Sequence, residues 1–322
     1  MKAVICTKYG PPDVLKLEEI GKPTPRDNEV LIRIRAATVT MGDCEIRGFR
    51  MPLWIWLPAR IGFGFRGPRR KILGQELAGE IAAVGRDVKL FGKGDQVFAA
   101  TGFNLGAYAE YTCLPEDGAL ATKPVNTTYE EAATVPTGGL TALHFLRKAK
   151  IQSGQKVLIN GAGGSIGTLA IQLAKHFGAE VTGVDSTGKL DMVKSIGADH
   201  VIDYTKEDFT ASGESYKVIF DVVGRSSFSR SIVSLKPGGR YLLANPGLAQ
   251  MARGSFTSRT SNRKVVFGQP EEKAEDLAFL RGLIETHGVR PVVDRAYTLD
   301  RIVEAHRYVE SGRKKGNVVI TV

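Results

Sequence analysis

The strongest chemical signal in the chain is Asn160-Gly161-Ala162-Gly163-Gly164-Ser165-Ile166-Gly167. It follows the almost wholly apolar run Lys156 to Asn160 and precedes Leu169, Leu173 and Phe177, which share one helical face with Ile166. A buried strand, a glycine turn and an amphipathic helix, in that order, form a cradle for a dinucleotide pyrophosphate. Ala162 stands where a small residue permits the tight turn out of the strand. Gly164 has no Cβ, so the pyrophosphate can approach the backbone. Gly167 lets the helix pack closely on the strand. The ligand then sits on N–H groups of the turn, spanning Ala162, Gly163, Gly164, Ser165, Ile166 and Gly167.

The next strand ends in Asp185, about 20 residues beyond the glycines, where such a fingerprint places a carboxylate for the ribose. A carboxylate there accepts from a ribose 2′-OH and repels a 2′-phosphate. Ser186, Thr187 and Lys189 follow at once and suit that phosphate. The two signals conflict, so these residues leave NADPH and NADH both possible. Asp185 equally suits a cap for the helix that begins near Lys189.

These residues need a scaffold, and the hydrophobic period supplies one. Glu29 to Thr40 alternates, with Val30, Ile32, Ile34 and Ala36 opposite Leu31, Arg33 and Arg35, which predicts a half-buried strand. Leu77–Val84, Gln96–Ala100 and Ala107–Leu114 read as further strands, so residues up to about 125 form a small, strongly turned β domain. Tyr129–Ala133 begins a helix with Thr127 or Thr128 as its cap, and Leu140–Ala149 is a second. From Gln155 onward strands and helices alternate, which predicts a parallel doubly wound sheet, with Val265–Gly268 as its last strand. Helices over Glu271–Thr286 and Asp300–Ser311 and strands over Ala296–Leu299 and Asn317–Val322 complete the chain.

Composition narrows the class. A chain of 322 residues exceeds one ordinary core, so two domains are expected. Cys6, Cys44 and Cys113 lie far apart with no CxxC pair, which fits a reducing compartment; a cytoplasmic location is expected. The opening MKAVICTKYG reads as a strand rather than a leader. The formal charge is +10, but the basic residues are scattered apart from 66–71 and 313–315, and no nucleic-acid motif accompanies them. Neither a nucleic acid nor a membrane is expected as a partner. Pro52–Phe65 is the longest apolar stretch; two prolines and an arginine interrupt it, and it is too short to span a bilayer.

An ordered set of segments carries a resemblance: GQELAGEIAAVG (74–85), FGKGDQVFA (91–99), GAYAEYTCLPEDG (106–118), PTGGLTAL (136–143), VLINGAGGSIG (157–167), AKHFGAEVTGV (174–184), GADHVIDY (197–204), LKPGGRYL (235–242) and GNVVITV (316–322). Nearly end to end, the chain resembles the quinone oxidoreductase branch of the medium-chain dehydrogenase/reductases. The resemblance implies an α/β fold: a GroES-like, mostly β catalytic domain from residues 1–125 and 269–322 around a Rossmann domain of 126–268. It also implies a homodimer and NADPH-linked reduction of a small quinone or α,β-unsaturated carbonyl. It places Thr40, Asp43 and Arg47 at the catalytic cleft. On their residues alone these read as well as a strand residue, a turn or helix cap and a surface cation. Thr137 resembles the loop beside the nicotinamide ribose. Val223 ends a strand at the cofactor crevice, Tyr204 and Lys189 resemble positions near the adenosine 2′-phosphate, and Asn317 approaches the cofactor.

The alcohol-dehydrogenase branch carries zinc on a Gly-His-Glu motif. Here Gly74-Gln75-Glu76 stands in its place, and glutamine is a poor zinc ligand. The five histidines make no ligand pair, so no metal is expected. A zinc-type alcohol dehydrogenase and a non-catalytic NADPH-binding protein are the alternatives. Phe49–Lys71 (FRMPLWIWLPARIGFGFRGPRRK) departs from the pattern; it suits a cover for a bulky flat acceptor, or packing at a domain or subunit interface.

Overall fold

The computed structural model describes all 322 residues, and the chain divides into two compact units. The first comprises Met1–Thr137 and Glu272–Val322; the second is Gly138–Glu271. In chain order the first unit holds β1 (Lys2–Cys6), β2 (Leu15–Glu19), β3 (Glu29–Val39), α1 (Met41–Gly48), α2 (Leu53–Phe63), β4 (Glu76–Val84), β5 (Gln96–Ala100), β6 (Tyr111–Pro115), β7 (Leu120–Thr122) and α3 (Tyr129–Ala133). Helix α4 (Pro136–Ala149) leads into the second unit. That unit holds β8 (Lys156–Asn160), α5 (Ser165–His176), β9 (Glu180–Asp185), α6 (Leu190–Ser195), β10 (His200–Asp203), β11 (Tyr216–Asp221), α7 (Phe228–Val233), β12 (Leu235–Leu243), α8 (Leu248–Thr260) and β13 (Lys264–Phe267). The chain then returns to the first unit with α9 (Ala274–Thr286), β14 (Val293–Thr298), α10 (Ile302–Glu310) and β15 (Asn317–Thr321).

In the second unit six strands run in the order β10-β9-β8-β11-β12-β13, all parallel. Numbered within the unit this is 3-2-1-4-5-6, the doubly wound order whose reversal falls beside the first strand. Val157, Leu158 and Ile159 of β8 have no exposed surface, because helices cover both faces of such a sheet.

The first unit is a seven-stranded sheet ordered β14-β15-β3-β4-β5-β7, with β6 also paired to β3, and a separate β1–β2 pair. Its core gathers Val30, Ile32 and Ile34 of β3 with Leu77, Ile81, Val318 and Ile320. The expected alternation holds only in part. Leu31 is 4% exposed, and Ala37, Thr38 and Val39 are all buried, so β3 is covered on both faces at these positions. The strand expected over 107–114 shortens to β6; Ala107, Tyr108 and Ala109 are buried loop instead. Residues 126–137, expected with the second domain, lie in the first unit, where α3 packs on β3, β4 and β5.

Candidate active site

The glycine loop of the second unit is built backbone first. Gly161 leaves β8 at φ +89°, a left-handed conformation open to glycine. The N–H groups of Gly161 and Ala162 both donate to Val184 O, at 3.0 and 3.1 Å, which ties the loop to β9. A Cβ on Gly167 would lie 2.1 Å from Gly161 O, so helix and loop pack closer than any side chain permits. Gly164 differs. It is the N-cap of α5 at φ −93°, with no side-chain cap, and a Cβ there would meet nothing nearer than 3.6 Å. An uncapped helix start has N–H groups without intrahelical acceptors. Together with the open space over Gly164, it fits a dinucleotide pyrophosphate.

Asp185, at the end of β9, is 6% exposed and turned onto this loop. Its Oδ2 accepts from Gly163 N at 2.8 Å and its Oδ1 from Ser186 N at 2.8 Å, while Lys189 Nζ lies 3.5 Å from Oδ1. The carboxylate therefore pins the glycine loop. The hydroxyl of Thr187 donates to Asp203 Oδ2. Thr187 and Thr205 hydroxyls hold the Asp203 carboxyl well below the usual carboxylate range. Ser186, Lys189 and Tyr204 gather beside the loop; Tyr204 N donates to Asp185 O at 3.2 Å and its ring is exposed. Val223 is half exposed, and its Cγ2 would stand 2.6 Å from a Cβ on Gly161. Sequence reading missed Asp221, a fully buried carboxylate that accepts from Asn160 Nδ2 at 3.0 Å and Gly224 N at 2.8 Å and so fixes the ends of β8 and β11.

The first unit carries a buried polar cluster around the start of α1. Thr40 is the N-cap. Its hydroxyl accepts from Asp43 N at 3.1 Å and donates to Asp43 Oδ2 at 2.7 Å, while its N–H donates to the same oxygen at 2.9 Å. Gln75 Oε1 lies 3.1 Å from that hydroxyl. Asp43 has no exposed surface; burial raises its carboxyl to about 6 against the opposing hydrogen bonds from Thr40. Beside it Glu76, also fully buried, accepts from the Thr38 hydroxyl and from Thr137 N, the latter at 2.7 Å. Burial raises Glu76 to about 7, with the Thr38 hydrogen bond opposing. Glu76 and the amide of Gln75 are polar groups that the sequence motif did not assign a role.

Two expected site residues are buried within the first unit. Arg47 is fully buried and pairs with Glu310 of α10, which also binds Arg50 at 2.8 Å. With no exposed surface, its guanidinium joins α1 to α10. Asn317 opens β15 with 2% exposure, its Nδ2 donating to Val292 O at 3.2 Å, a contact within the first unit. No three His, Cys, Asp or Glu side chains stand together as a metal site. The closest approach to one, Cys44 Sγ at 3.3 Å from His306 Nδ1, is a buried pair whose thiol is pushed far up and whose imidazole is pushed down to about 3, both by burial.

Comparison with known proteins agrees with this architecture. Residues 26–125 match the alcohol dehydrogenase GroES-like domain, and residues 196–320 match the family described as zinc-binding dehydrogenase. The chain is 35% identical to the 2-methylene-furan-3-one reductase of Solanum lycopersicum, across 99% of this chain and 79% of that one. It is 34% identical to the chloroplastic NADPH-dependent alkenal/one oxidoreductase of Arabidopsis thaliana, with the same coverage. Among solved structures, the quinone oxidoreductase from Coxiella burnetii superposes with a TM-score of 0.89 at 30% identity, covering 100% of this chain and 99% of that one. The chain belongs to the medium-chain dehydrogenase/reductase superfamily, in its quinone oxidoreductase-like branch.

Proposed function

We propose that the protein is an NADPH-dependent oxidoreductase that reduces quinones or α,β-unsaturated carbonyls without a metal. The observation that carries this reading is the uncapped start of α5 under an open Gly164, in a chain whose Gly74-Gln75-Glu76 offers no zinc ligand set. The names of the tomato and Arabidopsis relatives support the enone acceptor, and that of the Coxiella structure supports the quinone.

When bound, the reduced nicotinamide supplies the hydride. The protein's residues bind and orient the reactants, and water supplies the proton that completes the reduction. Backbone N–H groups at the start of α5, over the open Gly164, bind the pyrophosphate, while those of Ala162 and Gly163 hold the loop through Val184 O and Asp185. Lys189, Ser186 and Tyr204 hold the adenosine 2′-phosphate, which makes Lys189 the counter-charge that offsets Asp185. The Gln75 amide N–H is the group we assign to the acceptor oxygen; the Thr40 hydroxyl, whose single proton is directed at Asp43 Oδ2 and Gln75 Oε1, positions that amide. A Lys189→Met variant tests the phosphate assignment. Its NADPH affinity should fall about tenfold or more, with little change for NADH, because a single charge-assisted contact is removed. Equal losses for both cofactors would refute it.

We further propose a homodimer and a cytoplasmic location. The edge strand β13 beside the exposed Phe256 of α8 supports the first, and three unpaired cysteines support the second. Light scattering on the purified chain should give twice the monomer mass.

A further inference from the structure

Helix α2 is apolar and unburied. No residue of Leu53–Phe63 is buried; Leu53 is 92%, Leu57 55% and Ile61 54% exposed. Spaced i, i+4 and i+8, these three form one stripe, with Trp54 on its flank. The helix is fastened to the first unit from its other side, where the Arg60 guanidinium lies 3.8 Å from the Phe49 ring centroid and Trp56 meets the same ring edge-on. Beyond Gly64 the exposed Phe65 leads into a basic run in which Arg66, Arg69, Arg70 and Lys71 are all exposed. Between Glu45 and Glu76 the chain carries seven basic residues and no acidic one.

An exposed apolar patch of this kind marks an interface, and its charge selects the occupant. A second copy docking face to face would set one cationic run against the other, which costs free energy. A surface that is apolar within and negative at its rim complements both features. We propose that α2 and the 66–71 run seat this protein on an anionic lipid surface, with the Leu53/Leu57/Ile61 stripe entering the headgroup–acyl boundary and the basic run facing lipid phosphates. Eleven residues fall far short of the ~20 needed to cross a bilayer, and no helix of the chain is long and apolar enough to do so; α2 lies in the interface plane. Tryptophan favours that depth. Leu, Ile and Trp side chains supply the apolar area, and clustered cations give the preference for anionic lipid. The expectation of no membrane partner rested on basic residues scattered along the chain and on a segment too short to span; surface docking needs no span, and the 66–71 run is one of the two places where the cations cluster.

The chain's two tryptophans, Trp54 and Trp56, both lie on α2, so emission excited selectively at tryptophan reports on this helix alone. The full-length protein is mixed with vesicles of phosphatidylcholine, or of phosphatidylcholine containing phosphatidylglycerol, and both sedimentation and emission are read. With the anionic vesicles the proposal requires co-sedimentation, a blue-shifted emission and quenching by bromine-labelled acyl chains, all weakened by high salt. Pairing Leu57→Glu with Ile61→Glu should lower the partition coefficient about tenfold or more. Arg66→Gln, Arg70→Gln and Lys71→Gln together should lower it on the order of a hundredfold. Circular dichroism and the unfolding temperature confirm that both variants fold. Absence of binding to anionic vesicles overturns the proposal, as does equal binding to both vesicle types. A blue shift that instead follows protein concentration without lipid would assign the face to a second copy. One that follows addition of NADPH or acceptor, without vesicle binding, would make α2 a cover for the protein's own ligand.

Discussion

At the scale of single residues, two glycines of one loop do different work, and substitution separates them. Gly164→Ala introduces a methyl into open space at an ordinary φ, so the fold should be unaffected while NADPH affinity falls about tenfold or more, since the methyl occupies the pyrophosphate's approach. Gly167→Ala would put a Cβ 2.1 Å from a carbonyl oxygen and should destabilise the protein by about 1–3 kcal/mol. Thermal unfolding with and without NADPH distinguishes the two. A second residue-scale prediction concerns pH. Glu76 is raised to about 7 from an ordinary carboxyl near 4. The folded chain then holds more protons than the unfolded one, so stability from this group is full below about pH 4 and is lost as pH rises to about 7. Asp43 acts in the same direction and buried His306, lowered to about 3, in the opposite one. Glu76→Gln keeps an acceptor for Thr137 N and removes the charge. Denaturant titrations at about pH 5 and about pH 8 should show the variant gaining on the parent at the higher pH. The glycines were legible from spacing alone, because their work is local. Glu76 was not: its partners Thr38 and Thr137 lie 38 and 61 residues away, and only the fold brings them to it.

At the scale of elements, Arg47 shows how position in a helix decides role. Read as a sequence, it could have been a surface cation or a cleft residue. In the fold it lies inside the first unit, on the face of α1 that meets α10, paired with Glu310. Arg47→Ala should cost on the order of 3 kcal/mol through the broken buried pair, with kcat per folded molecule unchanged. A selective loss of kcat would return Arg47 to the catalytic set. Thr128→Ala should cost about 1 kcal/mol by removing one half of the capping box on α3, measurable in the same denaturant titrations. Sequence reading narrowed that cap to Thr127 or Thr128, and the structure places it at Thr128, three residues before Glu131. Helix α8 was not. Its Leu-Ala-Gln-Met-Ala-Arg-Gly-Ser-Phe-Thr-Ser-Arg-Thr shows no clear stripe, and it docks on β13 through Gly254, where a Cβ would lie 2.8 Å from Val265. Helix α1 was also hidden: eight residues hold too little period, and only the Thr40–Asp43 box announces it.

At the scale of the whole molecule, the alternation of strand and helix after Gln155 was enough to specify the parallel sheet, because each βαβ unit has one favoured hand and short connections. The first unit was harder to read. Its sheet joins β3 to β15, more than 270 residues apart in number, and local pattern cannot announce a partner so distant. Cofactor binding should raise the stability of the chain by about 2.7 kcal/mol at a hundredfold excess over Kd, visible as a higher Tm with NADPH present. The central claim, a metal-free NADPH-dependent reductase, is tested most directly by one assay. The protein is treated with EDTA, and oxidation of NADPH is followed with a simple quinone and with an α,β-unsaturated ketone, alongside NADH. The account predicts turnover with at least one acceptor, faster with NADPH and unchanged by EDTA. Turnover that disappears with removal of stoichiometric zinc and returns on its addition would contradict it, as would tight NADPH binding with no turnover on either acceptor.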